Sequence, residues 1–423
     1  MRIGIVGAGH VGTTLGRAWA SAGHEIIYGV RESGAPAPHG GARMESVRGA
    51  AVASEVVVLA TPWAAVPEAL RAAGDLGGKP LLDITNPIGP GFVLTHGHTS
   101  SGAEEVARLA TNARVVKAFN STGLENMADP RFGARRAFMP VAGDDPPAVD
   151  VAVKLASDIG FDSVGLKGLV RARDLEPLAM LWMKLALEWG QGRNIAFGIS
   201  RRAANEPMRA RKPNPRRRVI AVVGTGNIGG ALVRAWLRAG HDVRVATRDP
   251  SSKEVSELVA LGATAIAVAG AANGVELVVL AIPAGAAVDV ARSLGSLDGK
   301  IVVDCTNAIA KGFTLQYGHT TSSSEELARA LPGARVVRAF NQQGAEVLQN
   351  PYFDGLAATN FVAADDDDAR HVVRELASDV GLDAVEAGPL SSARYLEPIT
   401  LLWVAMAQAF GTREFGLSLL RRG

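Results

Sequence analysis

The chain has 423 residues, of which 48% are hydrophobic and 20% are charged, so it holds enough apolar material for two or three domains of ordinary size. Lysine and arginine (44) nearly balance aspartate and glutamate (42), and the net charge of +2 gives no overall attraction to nucleic acid or to an anionic membrane. A single cysteine, Cys305, excludes a disulfide framework and a multi-cysteine metal centre, and we predict no metal site.

Strand and helix patterns alternate through the first half of the chain. A short apolar strand enters a glycine-rich turn, a helical pattern follows, and continuous apolar runs then predict strands buried in a parallel sheet. The half closes with an apolar helix that we predict to begin with Pro177 in its first turn. The predicted elements are strands 3–6, 24–29, 56–60, 81–85 and 114–119 and helices 13–22 and 177–189. Since no apolar run is long enough to span a bilayer, we expect a cytoplasmic protein without a membrane segment.

The second half repeats the first. The best matched segments are Gly7–Gly12 with Gly224–Gly229, 83–86 with 304–307, 114–120 with 335–341, and 172–177 with 393–398. The chain is therefore a tandem duplication of a unit of about 200 residues. We predict an α/β fold with two tandem Rossmann units, that is, two doubly wound parallel sheets, each with a small C-terminal helical part. The units span 1–204 and 218–423, and a basic, proline-containing linker covers 205–217. The apolar closing helices, 177–189 and 398–410, suggest that the units pack as an intramolecular pseudo-dimer.

Each unit carries a G-x-G-x-x-G motif between an apolar strand and a helix, which is the context that makes this motif informative. The first glycine permits the tight turn, the second lets the backbone approach a pyrophosphate, and the third lets helix and strand pack closely. The start of the helix adds free N–H groups and a positive dipole. The residues predicted to bind a cofactor here are Gly7, Gly9, His10, Val11 and Gly12, and Gly224, Thr225, Gly226, Asn227, Ile228 and Gly229.

The end of the second strand favours NADP(H) over NAD. An NAD site places Asp or Glu there, whereas this chain has Arg31 followed by Glu32, and Arg248 after Thr247. Arginine can pair with a 2′-phosphate through charge-assisted hydrogen bonds. Thr247 and Lys253 strengthen the prediction for the second copy, whereas Glu32 weakens it for the first copy.

Other candidates follow the remaining strands, because ligands of open α/β sheets bind at the carboxyl ends of the strands. An amide directly after a buried strand could bind a cofactor ribose or carboxamide, and it could equally start a turn. The cofactor candidates at these ends are Thr61, Pro62, Asn86, Ile282, Pro283 and Asn307, and the catalytic candidates are Asn120 and Asn341.

Two histidines, His98 and His319, lie in Gly-His-Thr segments and are candidate proton donors for the reduction of a carbonyl or imine. The alternative is structural, because the serines and glutamates that follow are typical of a helix cap.

With these residues, each half resembles the family of coenzyme F-420-dependent NADP oxidoreductases and the related dinucleotide-binding reductases, which include the cytosolic domain of the transmembrane ferric reductases. The resemblance rests on Gly224–Gly229, His241, Arg248, Ile282-Pro283, the V-V-x-A-F-N segments, and 387–394 with Glu397. It implies a Rossmann domain with a small helical part, usually dimeric, and hydride transfer between NADP(H) and a deazaflavin. The first copy departs from the pattern at 165–173 and carries His10 where the family has Asn.

The leading hypothesis is an NADP(H)-dependent oxidoreductase that passes hydride to or from a deazaflavin or flavin, with NADP(H) and coenzyme F-420 or a flavin as cofactors. One alternative is an NADPH-dependent biosynthetic reductase of a C=O or C=N group in a small molecule. Another is a non-catalytic dinucleotide-binding scaffold. We expect a small-molecule substrate or redox coenzyme as partner, no nucleic acid and no membrane, and a further homo-oligomer is compatible with the sequence.

Overall fold

The computed structural model of the protein describes residues 1–31, 36–202 and 216–422. The prediction that involves Glu32, and residues 205–215 of the predicted linker, lie outside the described residues. The chain divides into two compact units: Met1–Gly198 with Leu420–Gly423, and Ile199–Leu419. Within the described part, no helix combines the length and the apolar character that crossing a bilayer requires.

The first unit is built on an eight-stranded sheet in the order β12-β11-β8-β5-β4-β1-β2-β3. All neighbours are parallel except β8 and β11, which are antiparallel. The strand order reverses beside β1, which is the topological switch of a doubly wound sheet. The strands are β1 (Arg2–Val6), β2 (Glu25–Val30), β3 (Arg43–Ser46), β4 (Val56–Leu59), β5 (Lys79–Asp83), β6 (Ile88–Gly89), β7 (Val93–Leu94), β8 (Ala113–Lys117), β9 (Arg131–Phe132), β10 (Arg135–Arg136), β11 (Phe138–Gly143) and β12 (Asp162–Lys167).

Helices cover this sheet, and β6 with β7 and β9 with β10 form small antiparallel hairpins beside it. The helices are α1 (His10–Ser21), α2 (Val47–Ala53), α3 (Val66–Ala73), α4 (Gly102–Leu109), α5 (Leu124–Ala128), α6 (Pro146–Asp158) and α7 (Ala172–Leu187). A further strand, β13 (Ile195–Arg201), follows α7.

The second unit repeats this plan in the order β16-β15-β14-β17-β18-β21-β24-β25, again with one antiparallel pair, β21 and β24. Its strands are β14 (Val219–Val223), β15 (Asp242–Thr247), β16 (Thr264–Ala267), β17 (Leu277–Leu280), β18 (Ile301–Asp304), β19 (Ile309–Ala310), β20 (Thr314–Leu315), β21 (Arg335–Arg338), β22 (Tyr352–Phe353), β23 (Leu356–Ala357), β24 (Thr359–Ala364), β25 (Asp383–Glu386) and β26 (Phe415–Arg421). Its helices are α8 (Asn227–Arg238), α9 (Lys253–Ala260), α10 (Ala287–Ser293), α11 (Ser323–Ala330), α12 (Ala345–Gln349), α13 (Asp367–Val380) and α14 (Ala393–Phe410).

The prediction of two tandem Rossmann units is confirmed. Strands β4 and β17 are buried at every residue, as the continuous apolar runs indicate. The pseudo-dimer and the domain limits stay predictions.

Several repeated residues hold the first helix of each unit in place. The buried indole of Trp19 donates from Nε1 to the carbonyl of Leu155 at 2.9 Å, and Trp236 repeats this contact with Leu376 at 3.0 Å. His24 Nε2 lies 3.1 Å from Asp158 Oδ2, and the matching atoms of the second unit lie 3.0 Å apart. Much of the repeated sequence outside the glycine motif therefore serves packing.

The closing helices differ from the prediction. They begin at Ala172 and Ala393, so Pro177 and Pro398 lie inside them rather than in the first turn. A short 3-10 turn precedes each helix and starts its winding early. Because proline has no N–H, Pro177 leaves the carbonyl of Arg173 without its usual helical donor.

Candidate functional site

The glycine-rich turn of the first unit needs glycine at two positions for steric reasons. Gly7 has φ +112°, and a Cβ there would collide with the carbonyl oxygen of Ala60. A Cβ on Gly12 would collide with the carbonyl of Gly7, so Gly12 lets α1 pack against the turn. Contacts within the protein therefore require glycine at both positions.

Gly9 is different, because no heavy atom lies within 4 Å of the position that its Cβ would take. The protein fold itself would tolerate a side chain there. Gly9 is the N-cap of α1, and no side chain caps that helix, so the first N–H groups of α1 face the open space. This is the geometry of a cradle for an anionic group.

The second unit repeats the cradle. Gly224 has φ +103° and lies against the carbonyl of Ala281, and Gly229 lies against Gly224. Gly226 again has no neighbouring atom within 4 Å of its Cβ position, and α8 begins at Asn227 without a side-chain cap.

A cavity of about 290 Å³ opens beside the cradle of the first unit. It lies at the carboxyl ends of β1, β2 and β4, the crevice where a doubly wound sheet binds ligands. Five predicted residues line it: Gly7, Gly9, Arg31, Thr61 and Pro62. His10, Val11, Gly12 and Asn86 are not among its lining residues.

The cavity also contains residues that the sequence analysis missed. One wall is the apolar face formed by Ala65, Ala69 and Ala72, and Glu68 is the single carboxylate among the lining residues. Helical spacing of small residues after Thr61-Pro62 is the signal that could have found this wall. The hydroxyl oxygen of Thr61 is buried and has no hydrogen-bond partner in the described part of the protein.

The predicted phosphate-binding arginines are exposed. Among the described residues, no carboxylate lies within ion-pair distance of the Arg31 or the Arg248 guanidinium, so both charges are available to a ligand. In the second unit, the Thr247 hydroxyl is 3.1 Å from the carbonyl and the amide of Asp249, and it stabilises the turn after β15. Lys253 is exposed at the first position of α9.

The paired asparagines lie together at the ends of two neighbouring strands. Asn86 Nδ2 donates to the carbonyl of Asn120 at 3.0 Å, and Asn120 Nδ2 donates to Asn86 Oδ1 at 3.1 Å and to the carbonyl of Leu175 at 3.1 Å. Asn120 is only 4% exposed. The structure therefore gives Asn120 a positioning role between β5, β8 and α7, and its catalytic role stays a prediction. Asn341 is equally buried, at 2%.

The residue before each of these asparagines is strained. Phe119 has φ +56° and Phe340 has φ +61°, a conformation that is rare for a bulky residue. The amide of Phe119 donates to Sδ of Met139 at 3.1 Å, whereas the amide of Phe340 donates to Oδ1 of Asn360 at 2.9 Å. Strained residues held by their surroundings are frequent at functional sites.

A fully buried ion cluster lies beside the asparagines, and the sequence analysis missed it. Lys117 Nζ lies 2.9 Å from Asp83 Oδ2 and 3.1 Å from Glu176 Oε1. Burial disfavours the charge on Lys117, but the two carboxylates outweigh this effect and raise its pKa. Burial raises the pKa of Glu176, and Lys117 opposes that shift. The sequence signal for this cluster was the presence of charged residues within runs that otherwise predict buried apolar strands.

The cluster connects the sheet to two helices. Glu176, on α7, accepts hydrogen bonds from the amides of Gly102 and Ala103 at the start of α4. In the second unit the cation is arginine: Arg338 Nη1 lies 2.8 Å from Asp304 Oδ2, and Nη2 lies 3.8 Å from Glu397 Oε1. Each cluster fixes the loop that follows β5 or β18.

The two candidate histidines lie in these loops. His98 is half-buried and His319 is exposed, and both have positive φ, +58° and +60°. The helix caps that follow belong to serines: Ser101 Oγ accepts from the amide of Glu104, and Ser322 Oγ from that of Glu325, each at 3.2 Å. The carboxylate of each glutamate also accepts a hydrogen bond from the hydroxyl of its serine. The serines, and not the histidines, therefore make the helix caps that the sequence analysis gave as the structural alternative. The role of the histidines as proton donors stays a prediction.

Fold and site together define a dinucleotide-binding α/β protein with two cradles. Residues 2–87 and 219–308 match the family model described as NADP oxidoreductase, coenzyme F420-dependent. The chain belongs to this family and carries its domain twice.

Two solved structures illustrate the relationship. A protein of Arthrobacter sp. FB24, described as a candidate F420-dependent NADP-reductase, is 30% identical over 46% of this chain and 96% of its own, with a TM-score of 0.43. The hypothetical protein SMa0349 of Sinorhizobium meliloti is 28% identical over 42% of this chain and 88% of its own, with a TM-score of 0.39.

Metalloreductases are among the curated proteins that the chain resembles. STEAP3 of Rattus norvegicus is 29% identical over 182 residues, which are 43% of this chain and 36% of STEAP3. STEAP2 of Homo sapiens is 27% identical over 213 residues, 49% of this chain and 42% of STEAP2. The alignments therefore span less than half the length of these relatives.

Proposed function

We propose that the protein transfers hydride between NADP(H) and a deazaflavin or flavin coenzyme. The observation that carries the proposal is the pair of open cradles at Gly9 and Gly226, where the fold leaves space next to unsatisfied helix N–H groups. Membership in a family of NADP oxidoreductases supports the same cofactor.

In this proposal each region of the first-unit crevice binds one part of the cofactor. The amides after Gly9 would hold the diphosphate, and Arg31 would hold the 2′-phosphate. The small side chains of α3 would pack against the adenine, and the unpartnered hydroxyl of Thr61 fits a polar atom of the ligand. The corresponding residues of the second unit would be Gly224–Gly229, Arg248 and Lys253.

The chemistry needs few protein groups. When NADPH is bound in the crevice, reduction of the acceptor would consume its hydride and one proton and would leave NADP⁺. The contribution of the chain is then orientation and exclusion of water rather than acid–base catalysis.

The cradles can be tested one at a time. Gly9→Asp and Gly226→Asp each add a Cβ that meets no protein atom within 4 Å, and the added carboxylate should repel the diphosphate. Calorimetric titration of the intact protein with NADPH should give two sites for wild type and one for each variant. Gly40→Asp is the matched control, because Gly40 also has open space but is outside the crevice. Equal NADPH binding by wild type and both variants would contradict the proposed site.

The acceptor is tested by following NADPH oxidation at 340 nm with coenzyme F-420 and with FMN. Turnover with either coenzyme supports the proposal. Normal NADPH binding with turnover only on small carbonyl or imine compounds would contradict it.

That result would favour a second candidate function, an NADPH-dependent reductase of a C=O or C=N group. One observation supports it: His98 and His319 are both held in the left-handed conformation, in the loops that follow Asn86 and Asn307 in the sequence. His98→Asn should then lower the reduction rate, because the proton donor is lost.

A further inference from the structure

The two units differ in whether their paired asparagines can accept a hydrogen bond from a ligand. An amide oxygen has two lone pairs. In the first unit, Asn86 Oδ1 accepts one hydrogen bond, from Asn120 Nδ2 at 3.1 Å. Asn120 Oδ1 is buried and accepts none from the described residues. Both oxygens therefore keep spare acceptor capacity, and the half-buried Asn86 side chain follows the strand next to the cavity.

In the second unit the matching oxygens are occupied by protein donors. The Thr400 hydroxyl, which has one proton to donate, lies 2.9 Å from Asn307 Oδ1 and 2.8 Å from the carbonyl oxygen of Asn341. Arg338 Nη2 and Asn341 Nδ2 lie 3.4 Å and 3.5 Å from Asn307 Oδ1. Gln342 Nε2 donates to Asn341 Oδ1 at 2.6 Å. A ligand donor would have to compete with these protein donors for the lone pairs of the two oxygens, which lowers the net gain from a hydrogen bond to the ligand.

Three substitutions between the copies produce this difference, and one of them is Lys117 in place of Arg338. Thr400 corresponds to Ala179 in the first unit, and Gln342 corresponds to Ser121. Ala179 is buried and has no hydrogen-bonding group, and the hydroxyl oxygen of Ser121 is buried without a partner. The first unit therefore lacks the side-chain donors that Thr400 and Gln342 supply in the second.

We infer that the first unit alone anchors the carboxamide of the nicotinamide ring, through Asn86, and that hydride transfer takes place there. The second unit holds the dinucleotide by its phosphates, with Arg248 and Lys253, and leaves the nicotinamide end unanchored. This inference rests on the proposed function, since it assumes that NADP(H) is the ligand. Ala179 and Thr400 are then specificity-determining positions that decide which copy is productive.

The test exchanges the hydroxyl between the copies. Ala179→Thr introduces a donor to Asn86, and Ala179→Val has the same shape without the hydroxyl, so it controls for packing. We expect Ala179→Thr to lower turnover with coenzyme F-420 about tenfold relative to Ala179→Val, the effect of one competing hydrogen bond. The fluorescence of bound NADPH, which reports how firmly its reduced ring is held, should fall in parallel and needs no acceptor.

The reciprocal change is Thr400→Val, which frees a lone pair of Asn307. We expect the number of immobilised rings per chain to rise from one towards two in a fluorescence titration. Equal behaviour of Ala179→Thr and Ala179→Val, or two immobilised rings already in wild type, would overturn the inference. Calorimetry on the same samples separates this failure from that of the proposed function, because the proposed function fails only if NADPH does not bind or no flavin-type acceptor is reduced.

Discussion

The hydroxyl group of Tyr28 fills the space that a side chain on Gly16 would need, so α1 and β2 pack together only because position 16 is glycine. Tyr28 is fully buried, its hydroxyl lies 3.1 Å from His39 Nε2, and burial raises its pKa to about 12. In the second copy the same two positions are Val233 and Val245, both fully buried. At this contact between the first helix and the second strand, one copy combines a glycine with a large tyrosine, and the other combines two valines of intermediate size.

Gly16→Val should destabilise the protein by about 1–3 kcal/mol, because it overpacks the Tyr28 contact. The double variant Gly16→Val, Tyr28→Val reproduces the pair found in the second unit and should recover most of the loss. Urea unfolding of the two variants and of wild type measures this coupling. Additive losses in the double variant would contradict the packing argument.

Arg248→Ala should weaken NADPH binding about tenfold to a hundredfold, because a charge-assisted contact to the 2′-phosphate is lost. NADH, which has no 2′-phosphate, should bind almost as before. Calorimetry with both cofactors checks the difference, and Arg31→Ala asks the same question of the first unit. Equal losses for NADPH and NADH would refute the assignment.

Lys117→Met should destabilise the first unit by about 3–5 kcal/mol, because it leaves Asp83 and Glu176 buried without their cation. Lys117→Arg is the matched control, since Arg338 occupies the same place in the second unit. We expect the arginine variant to lose much less stability in thermal unfolding. A methionine variant as stable as the arginine variant would show that the cluster contributes little.

The raised pKa of Asp174 predicts that the free energy of unfolding depends on pH. It is buried at the start of α7, and burial raises its pKa to about 7, although Arg171 at 2.9 Å opposes the shift. Because the folded-state pKa lies above the unfolded-state value, this residue contributes most to stability at low pH, and the contribution is lost as pH rises to about 7.

Asp174→Asn removes that titration. The variant should be more stable than wild type at pH 8, and the advantage should shrink at pH 5. Urea unfolding at the two pH values makes the comparison, and Asp150→Asn, at an exposed position of α6, is the control for a general charge effect. An advantage that is equal at both pH values would exclude Asp174 as the titrating group.

The sequence was sufficient for the sheets and the cradles, because both depend on local patterns. Buried parallel strands appear in the sequence as continuous apolar runs. The motif glycines are recognisable because a tight turn between a strand and a helix requires them at fixed spacing. The start of α7 could not be predicted in the same way, since Pro177 suggested a helix start and the preceding 3-10 turn left no clear pattern.

The parts that the sequence did not disclose involve contacts over long separations. Lys117 finds Asp83 and Glu176 only when β5, β8 and α7 come together. The asparagines were visible as strand-end residues, but whether their oxygens are free depends on Ala179 or Thr400 on a helix far along the chain. Aligning the two copies reveals such substitutions, and the three-dimensional structure shows which hydrogen bonds they add or remove.

The strained phenylalanines have a consequence for local dynamics. A thioether sulfur is a weaker hydrogen-bond acceptor than an amide oxygen, so Met139 restrains the amide of Phe119 less firmly than Asn360 restrains that of Phe340. The backbone amide of Phe119 should therefore exchange its hydrogen for deuterium faster than that of Phe340. The two halves would then differ in the rate of local opening at this position, although they share one architecture.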